Sequence, residues 1–229
     1  MVKSKELKIM RKKIEKADKL PNPLAVVKTI PPDLPFAMPS SDNKKGNDDD
    51  NKASLRLEAL SSAEVSEEMM QKFLEMFEDN MGDLYRVSTW GLNLEEKAQD
   101  FQHRKARFLI VWSKGSDNDD DDATSETMAA FVHYRFCFDD EERPDWAVLY
   151  VYELQVAQGF QRKNIGHALQ QVLEEVGRQS QMTKIMLTVF HNNPNALRFY
   201  RDKCGYSVDE TDPSNYQERV DYMILSKSL

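Results

Sequence analysis

Two cysteines in 229 residues, Cys137 and Cys204, are too few for a disulfide scaffold and suit a reducing compartment. No uninterrupted apolar run approaches the roughly 20 residues needed to cross a bilayer. The N-terminus is charged and lacks the apolar stretch of a signal peptide, so no secretory leader and no membrane anchor are expected. The four histidines (His103, His133, His167 and His191) show no metal-ligand spacing with the cysteines, so no metal site is expected. No internal repeat is visible. What is present is 40% hydrophobic residues, enough for the core of one domain of ordinary to large size with extensions.

Charge is spread unevenly. Residues 1–20 carry eight Lys/Arg against three acids, or +5, which leaves −13 for the rest of a chain whose net charge is −8. Leu7, Met10, Ile14 and Ala17 form an apolar stripe at 3-4-3 spacing, which predicts an amphipathic helix. That helix either lies against the domain with its lysines outward or serves as a nuclear-import or nucleosome contact. Pro21-Asn22-Pro23 ends it, and a Pro-rich stretch runs on to Pro39. Residues 40–53 read as a polar linker, and 54–229 as the catalytic body. Gly115–Asp122 reads as a solvated acidic hairpin tip without regular structure.

The body spells strands and helices in a mixed order. Strands are predicted near Leu55–Leu60, at Arg107–Trp112, Met128–Phe138, Val148–Val156, Thr183–Phe190 and Asp221–Ser226. Helices are predicted at Ala63–Asn80, Leu94–His103, Asn164–Gln179 and Pro194–Lys203, with a turn through Tyr85–Gly91. The strand ending at Val156 leads into Gln161-Arg162-Lys163-Asn164-Ile165-Gly166-His167, which opens a helix. A loop of that kind presents unpaired backbone N–H groups and the positive end of a helix dipole, a ready site for a pyrophosphate. The next strand runs into Asn192-Asn193-Pro194, a helix containing Tyr200, and Gly205 at the position of a C-terminal cap.

These two blocks, in this order and spacing, resemble the GCN5-related N-acetyltransferases. The family motif Gln/Arg-x-x-Gly-x-Gly/Ala reads here Gln161-Arg162-Lys163-Asn164-Ile165-Gly166, with Asn164 in place of the first glycine. Asn visits left-handed backbone geometry at modest cost, so the turn survives the exchange. The resemblance implies an α/β acetyltransferase fold, a mixed central sheet flanked by helices, with acetyl-CoA as cofactor. It places cofactor contacts on Leu154, Gln155, Val156, the turn from Gln161 to His167, and Asn193. It also implies that the strand splays from its neighbour, leaving the N–H groups of Leu154 and Val156 to bind the pantetheine arm and polarise the thioester carbonyl.

Within that family, Met81–Gly91, Leu149–Glu153, Met186–Phe190 and Tyr222–Ser226 resemble the N-terminal acetyltransferase D branch, the histone-specific Nα-acetyltransferases. Those enzymes act on the Ser-Gly-Arg-Gly terminus of core histones. The resemblance implies a substrate groove of Tyr85, Trp90, Tyr152, Thr188, Thr211 and Tyr222. Two acidic contacts for the substrate arginine would fall on Asp139 and on Cys137, the latter a departure from the family pattern. Tyr85 and Trp90 also admit a simpler reading, a hydrophobic staple between helices. Acetylation of an α-amine, whose pKa is about 8, needs only a modest base, possible through water. Glu153, a carboxylate in an apolar strand beside Tyr152, is the candidate base; the competing reading is a strand-face glutamate paired with a lysine. Tyr200 takes the family position of the general acid for the leaving thiolate.

The expectation is thus a monomeric, cytoplasmic and nuclear Nα-acetyltransferase for histone tails, working by direct transfer in a ternary complex. Direct nucleic-acid binding is not expected. The alternatives are an acetyltransferase for another protein terminus, a lysine or a polyamine, and a non-catalytic chromatin or nucleic-acid adaptor.

Overall fold

Eight strands form one mixed sheet in a computed structural model that describes residues 4–27, 34–37, 55–114, 126–142 and 144–229. The linker 40–53, the acidic tip Gly115–Asp122 and most of the Pro-rich stretch beyond Val27 lie outside the described residues. The strands are β1 (Phe36–Ala37), β2 (Leu55–Ser61), β3 (Arg107–Lys114), β4 (Glu126–Phe138), β5 (Ala147–Val156), β6 (Lys184–Phe190), β7 (Ser207–Val208) and β8 (Tyr222–Ser228). Their order is β1-β2-β3-β4-β5-β6-β8-β7. The β1–β2 and β5–β6 pairs are parallel and the others antiparallel. Among the described residues, no helix is long and apolar enough to cross a membrane.

Two apolar layers cover the sheet. On one face pack α1 (Ser4–Asp18) and α4 (Ile165–Gln179), which bury Met10, Ile14 and Ala17 with Ile165, Leu169, Val172 and Val176 against Leu109, Val132 and Leu149. The lysines of α1 point outward, the simpler of its two sequence readings. Each large apolar side chain so buried contributes about 1.5–3 kcal/mol. Arg107 clamps the end of α1 by donating to the carbonyls of Asp18 and Leu20. On the other face, α2 (Glu67–Arg86) and α3 (Leu94–Gln102) cover a phenylalanine cluster. There Phe73 stacks on Phe108 at 4.9 Å and meets Phe131 at 4.5 Å.

Several boundaries differ from the sequence reading. Helix α2 starts at Glu67 under a Ser66 cap and runs past Asn80 to Arg86, so Tyr85 is helical. Gly82 and Asp83 look like breakers, but Phe77 and Tyr85 keep an aromatic face buried across them, and Arg86 braces the turn on Glu78 and Asp83 at 2.6 and 2.9 Å. The helix starting at Pro194 is α-helical (α5) only to Arg198, then widens into a π turn, Phe199–Lys203, where Cys204 N–H donates to Phe199 O. The two-residue strands β1 and β7 carry too little pattern to be read from sequence.

The β5–β6 pairing positions the site. It holds from Val148 to Val151 only. Beyond it β6 follows β8, while β5 stays with β4. Tyr134 faces Val151 and His133 faces Glu153, so Tyr152 is an extra residue in the ladder, a β-bulge. The two parallel strands therefore diverge from Tyr152 onward.

Candidate active site

The divergence opens a cavity of about 1050 Å³ between β5, β6, α2, the start of α4 and α5. One end is the turn that opens α4. Arg162 and Asn164 both adopt left-handed backbone, with φ of 62° and 66°, so asparagine fills the glycine position as expected. Ala168 N–H makes an intrahelical bond, to Asn164 O at 3.0 Å, and no side chain caps the end. The N–H groups of Ile165, Gly166 and His167 belong to the helix's uncapped first turn. A Cβ on Gly166 would lie 3.4 Å from Leu154 and 3.5 Å from Phe199, ordinary contacts. Gly166 lines the cavity together with both of those residues, and without a side chain it leaves the helix end bare there. Uncapped N–H groups, a positive dipole end and the cations Arg162 and Lys203 on the cavity wall fit a pyrophosphate.

The far end is aromatic. Tyr85 meets Phe190 at 5.0 Å, Trp90 meets Phe190 at 5.0 Å, and Tyr222 backs Trp90 at 5.1 Å. Tyr150 donates to or accepts from Thr188 at 2.5 Å. The Trp90 loop is pinned by Thr89 N–H donating to Asp221 at 2.6 Å. Arg135 lies 4.3 Å over the Tyr152 ring and bonds Asp100.

Between the two ends sits Glu153, 5% exposed. Lys97 donates to one of its oxygens and Gln155 to the other, each at 2.9 Å. The lysine-paired reading of this glutamate is therefore its geometry, and the pair faces the cavity. Burial works against the Lys97 charge, but Glu153, Tyr85 and Asp100 outweigh it and hold its pKa above the ordinary lysine value. Burial, helped by Glu153, pushes Tyr85 up to about 12. Burial likewise raises Tyr200, whose hydroxyl stays protonated across the working range. His133, stacked on Tyr152, is held well below the usual histidine range by burial and by Arg135, and is neutral.

The cavity collects Tyr85, Trp90, Tyr152, Glu153, Leu154, Gln155, Val156, Gln161, Arg162, Asn164, Ile165, Gly166, His167, Thr188, Asn193 and Tyr200. Five predicted residues fall outside its wall. Lys163 sits over Phe160 at 5.2 Å, and Tyr222 lies one ring behind the wall. Cys137 borders a second recess of about 630 Å³ beside α1, with its thiol pushed up to about 12 by burial. The Asp139 side chain is 1% exposed, accepts from the N–H groups of Asp145 and Trp146, and lies 3.9 Å from Lys184. Its carboxylate is committed to closing its own loop, so it is not an open contact for a substrate arginine. Thr211 donates to Asp209, which is itself bound to Lys184 at 2.7 Å. Asn193 caps α5 through the N–H of Ala196.

Sequence reasoning missed Asn80, Lys97, Asp100 and Tyr150 on the cavity wall. Tyr150 was readable, since it shares a strand face with Tyr152. The other three sit on helices whose polar positions give no signal. Among the described residues, no group of three or more potential metal ligands comes together.

A mixed sheet that parts beside a bare helix N-terminus has room for the pyrophosphate and arm of an acyl carrier. The profile of the acetyltransferase (GNAT) family matches residues 67–206, more than half of the chain, and the protein belongs to that family. Acetyl-CoA is therefore its cofactor. Solved structures agree on the fold. The PaiA N-acetyltransferase from Thermoplasma acidophilum in complex with coenzyme A is 16% identical at a TM-score of 0.50, covering 77% of this chain and 99% of its own. Ard1 from Thermoplasma volcanium is 14% identical at 0.51, covering 76% and 98%. The NatC complex bound to Gag peptide and CoA is 14% identical at 0.50, covering 76% and 98%.

Proposed function

We propose that the protein is an Nα-acetyltransferase that modifies the N-terminal serine of core histones beginning Ser-Gly-Arg-Gly, in the cytoplasm and nucleus. The observation that carries this reading is the position of Glu153, set between the helix-start turn and the aromatic wall. Likeness of Tyr85, Trp90, Tyr152, Thr188 and Tyr222 to the N-terminal acetyltransferase D branch selects the substrate.

Acetyl-CoA supplies an acetyl thioester whose C–S bond is exchanged for an N–C bond to the substrate amine. The first-turn N–H groups of α4 with Arg162 and Lys203 would hold the pyrophosphate, and the N–H groups of Leu154 and Val156, on the edge of β5 that β6 leaves after Val151, would hold the pantetheine amides. Tyr85, Trp90 and Tyr152 leave room beside the amine for a small first residue. Glu153 accepts the amine proton, directly or through water, with Lys97 in contact with its carboxylate. Tyr200 keeps its proton to give to the sulfur. In the cluster around Lys184, the carboxylates of Asp139 and Asp209 are buried, while Glu210 is 64% exposed and turned to Lys184 and Trp146 by one oxygen.

An acetylation assay across short peptides tests the reading. Ser-Gly-Arg-Gly should far exceed Ser-Gly-Ala-Gly, with a gap that narrows at high salt. Losing one partner of a desolvated charge pair costs about 2–5 kcal/mol, and an exposed groove belongs at the low end. Equal turnover of both, or a preference for Met-initiated peptides, would keep the acetyltransferase and end the histone assignment.

A further inference from the structure

Nothing in a strand dictates that both oxygens of a buried glutamate be held by side chains, yet those of Glu153 are. The holders come from elsewhere. Lys97 is on α3. Gln155 is fixed in turn by Asn80 of α2, whose Nδ2 donates to Gln155 Oε1 and to Val156 O, each at 3.1 Å. Because the Gln155 oxygen accepts from Asn80, its nitrogen must face Glu153. Asn80 has its own orientation set by Gln161, which donates to Asn80 Oδ1 at 3.4 Å and to Val156 O at 3.1 Å. The donors thus run one way, from Gln161 of the phosphate turn through Asn80 and Gln155 to Glu153.

We propose that Lys97 and Asn80 are positioning residues for Glu153: Lys97 is its counter-ion, and Asn80, acting through Gln155, locks its carboxylate toward the cavity. The inference deepens the acetyltransferase reading and rests on Glu153 being the proton acceptor. Lys97 also sits 4.8 Å over the Phe77 ring and is only 12% exposed, so both contacts hold its ammonium inside the site. Other charged or titratable groups around the pair are Asp100 of α3, Tyr85 of α2, Arg135 and the neutral His133 of β4, Tyr152 of β5 and Tyr200. Arg135 is engaged by Asp100 and stacked on Tyr152, so Lys97 is the cation in contact with the Glu153 carboxylate.

Removing an opposite charge at contact distance moves a carboxyl titration upward by about 1–3 pH units. The Glu153 carboxyl, ¹³C-labelled and followed by NMR in the ligand-free protein, should titrate at least about one unit higher in Lys97→Met than in the parent. Lys97→Gln, which keeps a donor without the charge, should shift the same way and covers the case in which Lys97→Met does not fold. Lys97→Arg should stay within a few tenths of a unit. With acetyl-CoA and Ser-Gly-Arg-Gly, the acid limb of kcat/KM should follow these shifts. Asn80→Leu should lower kcat about tenfold without moving the limb. An unshifted Glu153 titration in both charge-removing variants, a loss of rate in those two variants that is uniform at every pH, or an Asn80→Leu protein with the parent's kcat would overturn the proposal. A parent protein that acetylates no amine would end the functional reading instead, and the ligand-free titration would still decide the role of Lys97.

Discussion

Replacing Asn164 by valine and by glycine tests the one place where the cofactor turn departs from its family pattern. Asn164 holds φ 66° and ψ 4° at the residue before the first turn of α4. Asparagine tolerates that region at modest cost, whereas a β-branched side chain loses roughly 1–2 kcal/mol there. The asparagine side chain accepts from Lys203 at 2.8 Å on the exposed surface, a bond that contributes little net stability. Asn164→Val should therefore cost about 1–2 kcal/mol, either as lost stability or as a turn that leaves its left-handed shape. If the turn relaxes, that energy appears as roughly a 5- to 30-fold weaker affinity for acetyl-CoA, since about 1.4 kcal/mol is tenfold. Asn164→Gly removes the strain, but the unfolded chain gains about 0.4–1 kcal/mol of freedom, so its stability should stay near the parent and its binding intact. Calorimetric titration with acetyl-CoA and thermal melting of the three proteins separate these outcomes. A valine variant as stable and as tight as the parent, or a glycine variant that loses binding, would refute the backbone argument.

Gly166→Glu should abolish acetyl-CoA binding in the same titration, because a carboxylate at the bare helix end repels the pyrophosphate, and unchanged affinity would remove the basis of the site. Ile14→Ala should lower stability by about 2–5 kcal/mol in urea unfolding, the cost of a cavity at a core position only 4% exposed. A loss under about 1 kcal/mol would mean that α1 is not integral to the core.

The parts of the fold that the sequence made legible are those written in local pattern. Helix α4 follows from Ile165, Leu169, Val172 and Val176 at helical spacing, and its start from the turn chemistry before it. Asn193 and Pro194 start α5, and Gly205, at φ 76°, follows its close. The site was legible wherever it depended on such a start, as at Gln161–His167. It was illegible where it depended on contacts far along the chain. Asp139 reads as an open acid until Lys184 and the N–H groups of Asp145 and Trp146 close on it. Glu153 meets Lys97 across 56 residues of separation, and no periodicity marks which lysine of a helix will turn inward. The π turn that carries Tyr200 and the bulge at Tyr152 are single-residue irregularities, and a residue pattern has no term for them.

The docking of α1 sets an order of events on the ribosome. Its stripe of Met10, Ile14 and Ala17 is made before the strands it packs on, β4 and β5, which follow more than a hundred residues later. Arg107, which clamps its end, also emerges well after it. A helix forms in microseconds or less, while synthesis adds about 5–20 residues each second. For several seconds the helix waits with its apolar side uncovered, and the lysines flanking that side are what keep the nascent segment soluble until β5 arrives.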